Sequence, residues 1–253
     1  MDRLEHYHLS ERTGALLENP LSKLPPEYDP WNQLIEDLPN LFQNMTLRKR
    51  ISQLPLLEPS SLNSHEELLL AHKVLSFAAS TYVWLHGKGG EPEYLPAQIA
   101  VPLVNISEKL GIQPIMTHQD LVLGNCLYVD SQRPPKLIHS PTQHASWKLF
   151  IELSGFIEVA FAPCLKLMID AIDAQNPLDV DRIVLCLRKI AEIIPTMTQG
   201  LKTLYGVILE QKTSCDLDRN VQSSQFQSLI HGKLGTKFTC IGGDQTPRSM
   251  SFM

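Results

Sequence analysis

The chain has 253 residues, 43% of them hydrophobic, enough to bury one sizeable core or two small ones. Twenty-two Lys and Arg against 27 Asp and Glu leave a net charge of -5, so there is no electrostatic footprint for nucleic acid. The five cysteines, Cys126, Cys164, Cys186, Cys215 and Cys240, are odd in number, widely spaced and free of any C-x-x-C, which argues against a disulfide framework or a cysteine metal motif.

The polar, charged start from Met1 to Ser10 carries no signal-peptide pattern. Arg48-Lys49-Arg50 is a short basic cluster between apolar residues and reads as a solvated helix face or turn. Ser64 followed by Glu67 is a capping box, and the run from Leu68 through His72, Leu75 and Ala79 to Trp84 predicts a helix that Gly87, Gly89 and Gly90 stop. Pro96 and Pro102 punctuate a further helix through Leu110, which Gly111 and Pro114 break. His118 to Leu127 reads as a short apolar helix, and Tyr128 to Ser140 as a polar linker.

The strongest helix is expected from about Ala145 to Ala162. Leu149, Leu153, Phe156 and Ala160 form one stripe, and Phe150, Ser154, Ile157 and Phe161 the next; so wide an apolar surface suits a helix buried on most sides. Pro163 should kink or end it before Cys164 to Ala171 continues. Another helix is expected over Asp181 to Tyr205 with Ile183, Leu187, Ile190, Ile194 and Met197 inward. The longest apolar stretch, Trp147 to Ile172, is broken by Lys148, Glu152, Glu158, Lys166 and Asp170, so no span of ~20 uninterrupted apolar residues exists for a membrane. From Gln211 to Met253 the chain is rich in Ser, Gln, Thr and Gly without sustained period and reads as a weakly structured tail. The expected fold is all-α with any sheet minor, divided as 1–140, 141–206 and a tail 207–253, in a soluble, cytoplasmic protein.

Three segments carry a resemblance. The first is Leu24-Pro25-Pro26-Glu27-Tyr28 with Trp31 and Leu38-Pro39-Asn40-Leu41. The second is Tyr82-Val83-Trp84, a glycine loop, then Leu95-Pro96-Ala97-Gln98-Ile99-Ala100-Val101-Pro102, Ser107, Leu110 and Pro114-Ile115. The third is the helix from Trp147 to Ala162 with Phe150, Ser154 and Glu158. Over roughly residues 20 to 205 the chain resembles the indoleamine 2,3-dioxygenases, and a block as long as Leu95 to Val122 is far more specific than a short motif.

The resemblance implies a small helical domain over a large one that binds haem b, and a reaction that adds both atoms of O2 across the indole C2–C3 bond of L-tryptophan or a related indoleamine, giving N-formylkynurenine for the kynurenine pathway. It implies Ser154 as a catalytic hydroxyl of the distal pocket, near bound oxygen and the substrate amino group. Phe150 would stack on the indole, Ile157 would line the haem edge, and His118, Leu121 and Val122 would wall the indole. Vertebrate members carry tyrosine and cysteine where His118 and Leu121 stand. Beside this, the residues themselves admit plainer readings: Ser154 bonded back to the carbonyl of Phe150 one turn earlier, Phe150 as core, His118 as a surface or capping histidine.

Other motifs lead nowhere. His86-Gly87-Lys88-Gly89-Gly90 lacks phosphate-loop spacing, and His65 and His72, seven apart, lack H-E-x-x-H. The family's second half should follow Tyr205 with a substrate-gripping arginine and an iron-ligating histidine on a late helix. The only histidine after residue 144 is His231, directly before Gly232, and no metal ligand is assigned. The expectation is a haem dioxygenase of tryptophan in an incomplete, low-activity form, from an alternative or mis-assembled transcript or a divergent member. A non-catalytic helical interaction fragment and a haem oxygen carrier like the molluscan myoglobins of this family are the alternatives.

Overall fold

The computed structural model describes residues 3–87, 89–130, 133–214, 237–241 and 247–251. It is mostly helical: α1 Arg3–His6, α2 Asp29–Gln43, α3 Leu47–Ser52, α4 His65–Trp84, α5 Ala97–Leu110, α6 Ala145–Asp173 and α7 Val180–Ser214. The strands β1 Cys126–Leu127 and β2 Lys136–Leu137 pair antiparallel, as do β3 Lys237–Ile241 and β4 Pro247–Ser251. The chain divides into two compact units. One gathers α1, the β1–β2 pair, α6 and most of α7; the other is built on Leu21–Leu121, with α2 to α5.

In the second unit α4 is central and packs against both α2 and α5. Its capping box forms as the sequence requires: Glu67 N–H donates to Ser64 Oγ at 3.1 Å, and Glu67 Oε2 accepts from Ser64 N at 3.2 Å. Leu70, Ala71, Val74, Leu75, Phe77, Ala78 and Ala79 are all buried, so the helix is enclosed nearly all round. Trp31, Leu34, Ile35 and Leu38 of α2 face the same core. The Tyr28 ring stacks on Trp31 with centroids 5.0 Å apart, and the Tyr28 hydroxyl donates to the Glu58 carbonyl at 2.9 Å. Gly111 ends α5 with φ +69°, the left-handed residue that closes a helix.

Arg48 is not a solvated point of the basic cluster. It is half-buried, its Nε donates to the Tyr82 carbonyl at 3.1 Å and an NH2 group to the Gly90 carbonyl at 2.7 Å, while the guanidinium lies 5.2 Å over the Tyr82 ring. It fastens the glycine loop to the end of α4.

The first unit differs from expectation in four respects. α6 runs unbroken through Pro163 to Asp173; Pro163 is exposed, so water can satisfy the carbonyl it leaves unpaired. α7 continues past Tyr205 to Ser214. The segment read as a helix from His118 to Leu127 forms only a π-helical turn, Gln119–Leu123, before β1. On α7 the packed row is Ile183, Cys186, Ile190, Ile193, Met197 and Gly200, while Leu187 and Ile194, expected inward, are 56% and 50% exposed. A Cβ on Gly200 would lie 3.1 Å from Ile157 Cγ1 and 3.3 Å from the Phe156 ring, so the glycine marks where α7 meets α6.

Candidate functional site

α6 carries the residues of interest, and its rows serve different ends. Trp147, Ile151 and Gly155, four residues apart, are buried against the β1–β2 pair. A Cβ on Gly155 would approach Cys126 Sγ to 3.1 Å and Pro135 Cβ to 3.4 Å. Cys126 Sγ in turn contacts the Ile151 carbonyl at 3.7 Å, and Leu137 N–H donates to Glu152 Oε1 at 3.1 Å. This row anchors the helix.

On the adjacent row, with Phe150 and Ser154 one residue before Ile151 and Gly155 and so about 100° round the helix, stand Phe150, Ser154, Ile157 and Phe161. All four are half-buried rather than enclosed. Phe150 and Ser154, spaced by four, project from one face. Ser154 donates its hydroxyl hydrogen to the Phe150 carbonyl at 2.8 Å, which is the plainer of its two readings. That bond uses the only proton and leaves oxygen lone pairs able to accept. These four side chains are thus apolar apart from one uncharged acceptor, the Ser154 hydroxyl. Phe150, Ile157 and Phe161 can lie against a flat ring, and Ser154 Oγ can take an N–H.

The second group of predicted residues falls on the turn after α5. His118 is exposed and Leu121 half-buried, with Leu121 N–H donating to the Thr117 carbonyl at 3.1 Å. Both belong to the α2–α5 unit. Val122 belongs to the α6 unit and is 1% exposed, so packing takes up its side chain.

Two histidine environments, one buried and one half-buried, escaped the sequence reading. His72 in α4 lies 2.8 Å from Asp120, with both side chains essentially without exposure. Their separation of 48 residues leaves no local signal. His139 has its pKa lowered to about 3, chiefly because burial penalises the charged ring and secondarily because Lys73 repels it; a hydrogen bond with the Ser22 backbone opposes both.

The resemblance implies haem, and the described residues meet that demand on one side only. The half-open row of α6 suits the face of an apolar macrocycle with a polar ligand above it. Neither α6 nor α7 contains a histidine, and within the unit's own described residues the imidazoles are those of the exposed His6 and His8. Cys164 is buried and burial raises its thiol pKa, which disfavours the thiolate a metal takes. Among the described residues no cluster of three His, Cys, Asp or Glu could hold a metal ion. His231 lies outside the described residues. The fit to haem therefore stops at the ring face, and no step through the iron is assigned to these helices. No described helix is long and apolar enough to cross a membrane.

Comparison with known proteins bears on the same helices. The family profile described as indoleamine 2,3-dioxygenase matches residues 3–213. Indoleamine 2,3-dioxygenase 2 of Mus musculus is 32% identical over 210 residues, covering 81% of this chain and 52% of that protein. Indoleamine 2,3-dioxygenase 1 of Rattus norvegicus is 33% identical over 206 residues, covering 77% and 51%. A myoglobin of Haliotis diversicolor is 29% identical over 248 residues, covering 98% and 60%. The chain spans about half the length of the curated dioxygenases it matches. Since one profile accounts for the chain from α1 to the last turn of α7, the chain belongs to the indoleamine 2,3-dioxygenase family.

Proposed function

We propose that this chain forms the substrate-facing part of a cytoplasmic haem dioxygenase that opens the indole ring of L-tryptophan or a related indoleamine to an N-formylkynurenine-type product. The observation that carries the reading is the α6 row, an aromatic ring and a hydroxyl one turn apart on a half-buried apolar face. Phe150 would lie against the indole, an aromatic contact worth ~0.5–1.5 kcal/mol beyond area burial. Ser154 Oγ, its proton given to Phe150, would accept from the substrate ammonium. Ile157 would meet the edge of the macrocycle, and His118 and Leu121 would form the second set assigned to the indole. Haem, where bound, would supply the oxygen chemistry; the protein's part is orientation and polarity.

On its own the 253-residue chain would have little activity. This is supported by the lack of a histidine on α6 and α7. The test is to reconstitute the chain with hemin and follow the Soret band and formation of N-formylkynurenine from L-tryptophan. A weak Soret band with turnover at the edge of detection is expected. Vigorous turnover would overturn the low-activity reading, and retention of full tryptophan binding by Phe150→Ala together with Ser154→Ala would overturn the site.

A second reading, haem-based oxygen carriage, has its own support: the Haliotis diversicolor myoglobin aligns with almost the whole chain, past the point where the dioxygenase profile stops. A stable oxygen complex that persists in the presence of L-tryptophan would select it.

A further inference from the structure

The buried pair His72–Asp120 closes a chain of hydrogen bonds around one turn. His72 Nδ1 is 2.8 Å from Asp120 Oδ1, and its Nε2 is 3.2 Å from the Gln113 carbonyl oxygen. The other carboxylate oxygen, Asp120 Oδ2, accepts from both the backbone N–H and the hydroxyl of Thr117, each at 2.8 Å. One imidazole on α4 therefore lies within hydrogen-bond reach of the segment after α5 at two points, Gln113 and Asp120. Thr117, between them, is held by the same carboxylate. A fully satisfied buried network rigidifies what it joins, whereas a half-satisfied one is costly. What it joins is a π-helical turn, a geometry that is rare and enriched at functional sites. His118 lies inside the gripped stretch, and Leu121, its amide bonded to the Thr117 carbonyl, follows directly.

We propose that His72 and Asp120 are positioning residues for substrate: they fix the 117–121 turn and so set where His118 and Leu121 stand against an indole. The proposal rests on the dioxygenase reading of His118 and Leu121. It predicts that geometry rather than charge matters. In Asp120→Asn the amide oxygen can still accept from Thr117, and the amide nitrogen can donate to His72 Nδ1 in the tautomer whose Nε2–H points at Gln113, so each bond has a replacement.

The experiment uses the full chain, its Asp120→Ala, Asp120→Asn and Thr117→Val variants, amide hydrogen exchange across 117–121, and saturation-transfer NMR with L-tryptophan. Asp120→Ala, which removes all three hydrogen bonds to the carboxylate, is expected to speed exchange at Leu121 and weaken L-tryptophan binding, each by about tenfold or more. Asp120→Asn should stay within about threefold of the parent on both readouts, since its bonds are replaced. If Asp120→Ala does not fold, Thr117→Val, which loses only the hydroxyl bond, should move both readouts the same way by a smaller factor. Parental exchange or parental affinity in every folded loss variant overturns the proposal, and so does an Asp120→Asn as impaired as Asp120→Ala. A parental chain that binds no L-tryptophan overturns the dioxygenase reading, and the substrate half of this proposal with it. Normal parental binding with unchanged Asp120→Ala affinity overturns this proposal alone.

Discussion

Ser154 gives its hydroxyl hydrogen to the carbonyl oxygen of Phe150, 2.8 Å away on the preceding turn of α6. Such back-bonds add little to helix stability. Ser154→Ala should therefore change unfolding free energy by less than about 1 kcal/mol in urea titration, while L-tryptophan affinity falls by about fivefold, as for loss of a single hydrogen bond. An affinity unchanged at equal stability would reduce Ser154 to a packing residue.

Two glycines with nearly equal backbone angles should respond unequally to a methyl group. Gly14 has φ +68° and a Cβ there would stand 2.8 Å from the Glu158 carbonyl oxygen, whereas Gly111 at φ +69° has nothing within 4 Å. Both substitutions carry the ~1–2 kcal/mol of a left-handed side chain, and only Gly14→Ala adds the ~1–3 kcal/mol of overpacking. Denaturant midpoints should rank Gly14→Ala well below Gly111→Ala.

On α7, Val184, Leu187, Ile194 and Leu201 form an apolar row that solvent reaches, at 38%, 56%, 50% and 53% exposure. Exposed sites seldom move stability by more than about 0.5 kcal/mol, and a continuous apolar patch promotes association. Leu187→Gln with Ile194→Gln should leave the unfolding midpoint in place and shift the chain toward monomer in size-exclusion chromatography. A marked loss of stability would mean that the row is covered in solution.

His139 supplies a pH signature. Its folded pKa of about 3 lies below the ordinary histidine value of 6.5, so below 6.5 the unfolded chain takes up a proton that the folded chain refuses. The contribution is fully present above pH 6.5 and is lost as pH falls toward 3. Between these limits the group adds up to one proton to the slope, about 1.4 kcal/mol per pH unit. His139→Gln should flatten the stability profile between pH 6 and pH 4 by about that amount, read from urea titrations at each pH.

Much of the fold was written in local chemistry. The Ser64–Glu67 box, the enclosed run of α4 and the stop at Gly111 each depend on residues within a few positions of one another. α7 was harder because apolar residues occupy two rows offset by one position. Ile183, Ile190 and Met197 could pair with Leu187 and Ile194 or with Cys186, Ile193 and Gly200. The small Gly200, which admits Phe156 and Ile157, decides for the latter, and that depends on a helix some forty residues earlier. The α6 row was legible through Phe150 and Ser154, although its half-open state was not, since periodicity gives a face and never its cover. The His72–Asp120 pair could not be seen at all: each residue is unremarkable in its own segment.

Arg48 reaches two chain segments at once, the end of α4 at Tyr82 and the loop at Gly90, with its plane laid over an aromatic ring. A flat, forked cation can do this and a lysine ammonium on a single stem cannot. The apparent basic cluster thus holds unlike members: Lys49 is an exposed charge, whereas Arg48 is a clasp. Charge-preserving exchange at Arg48 would free the loop that leads into α5, even though the electrostatic character of the surface would be unaltered.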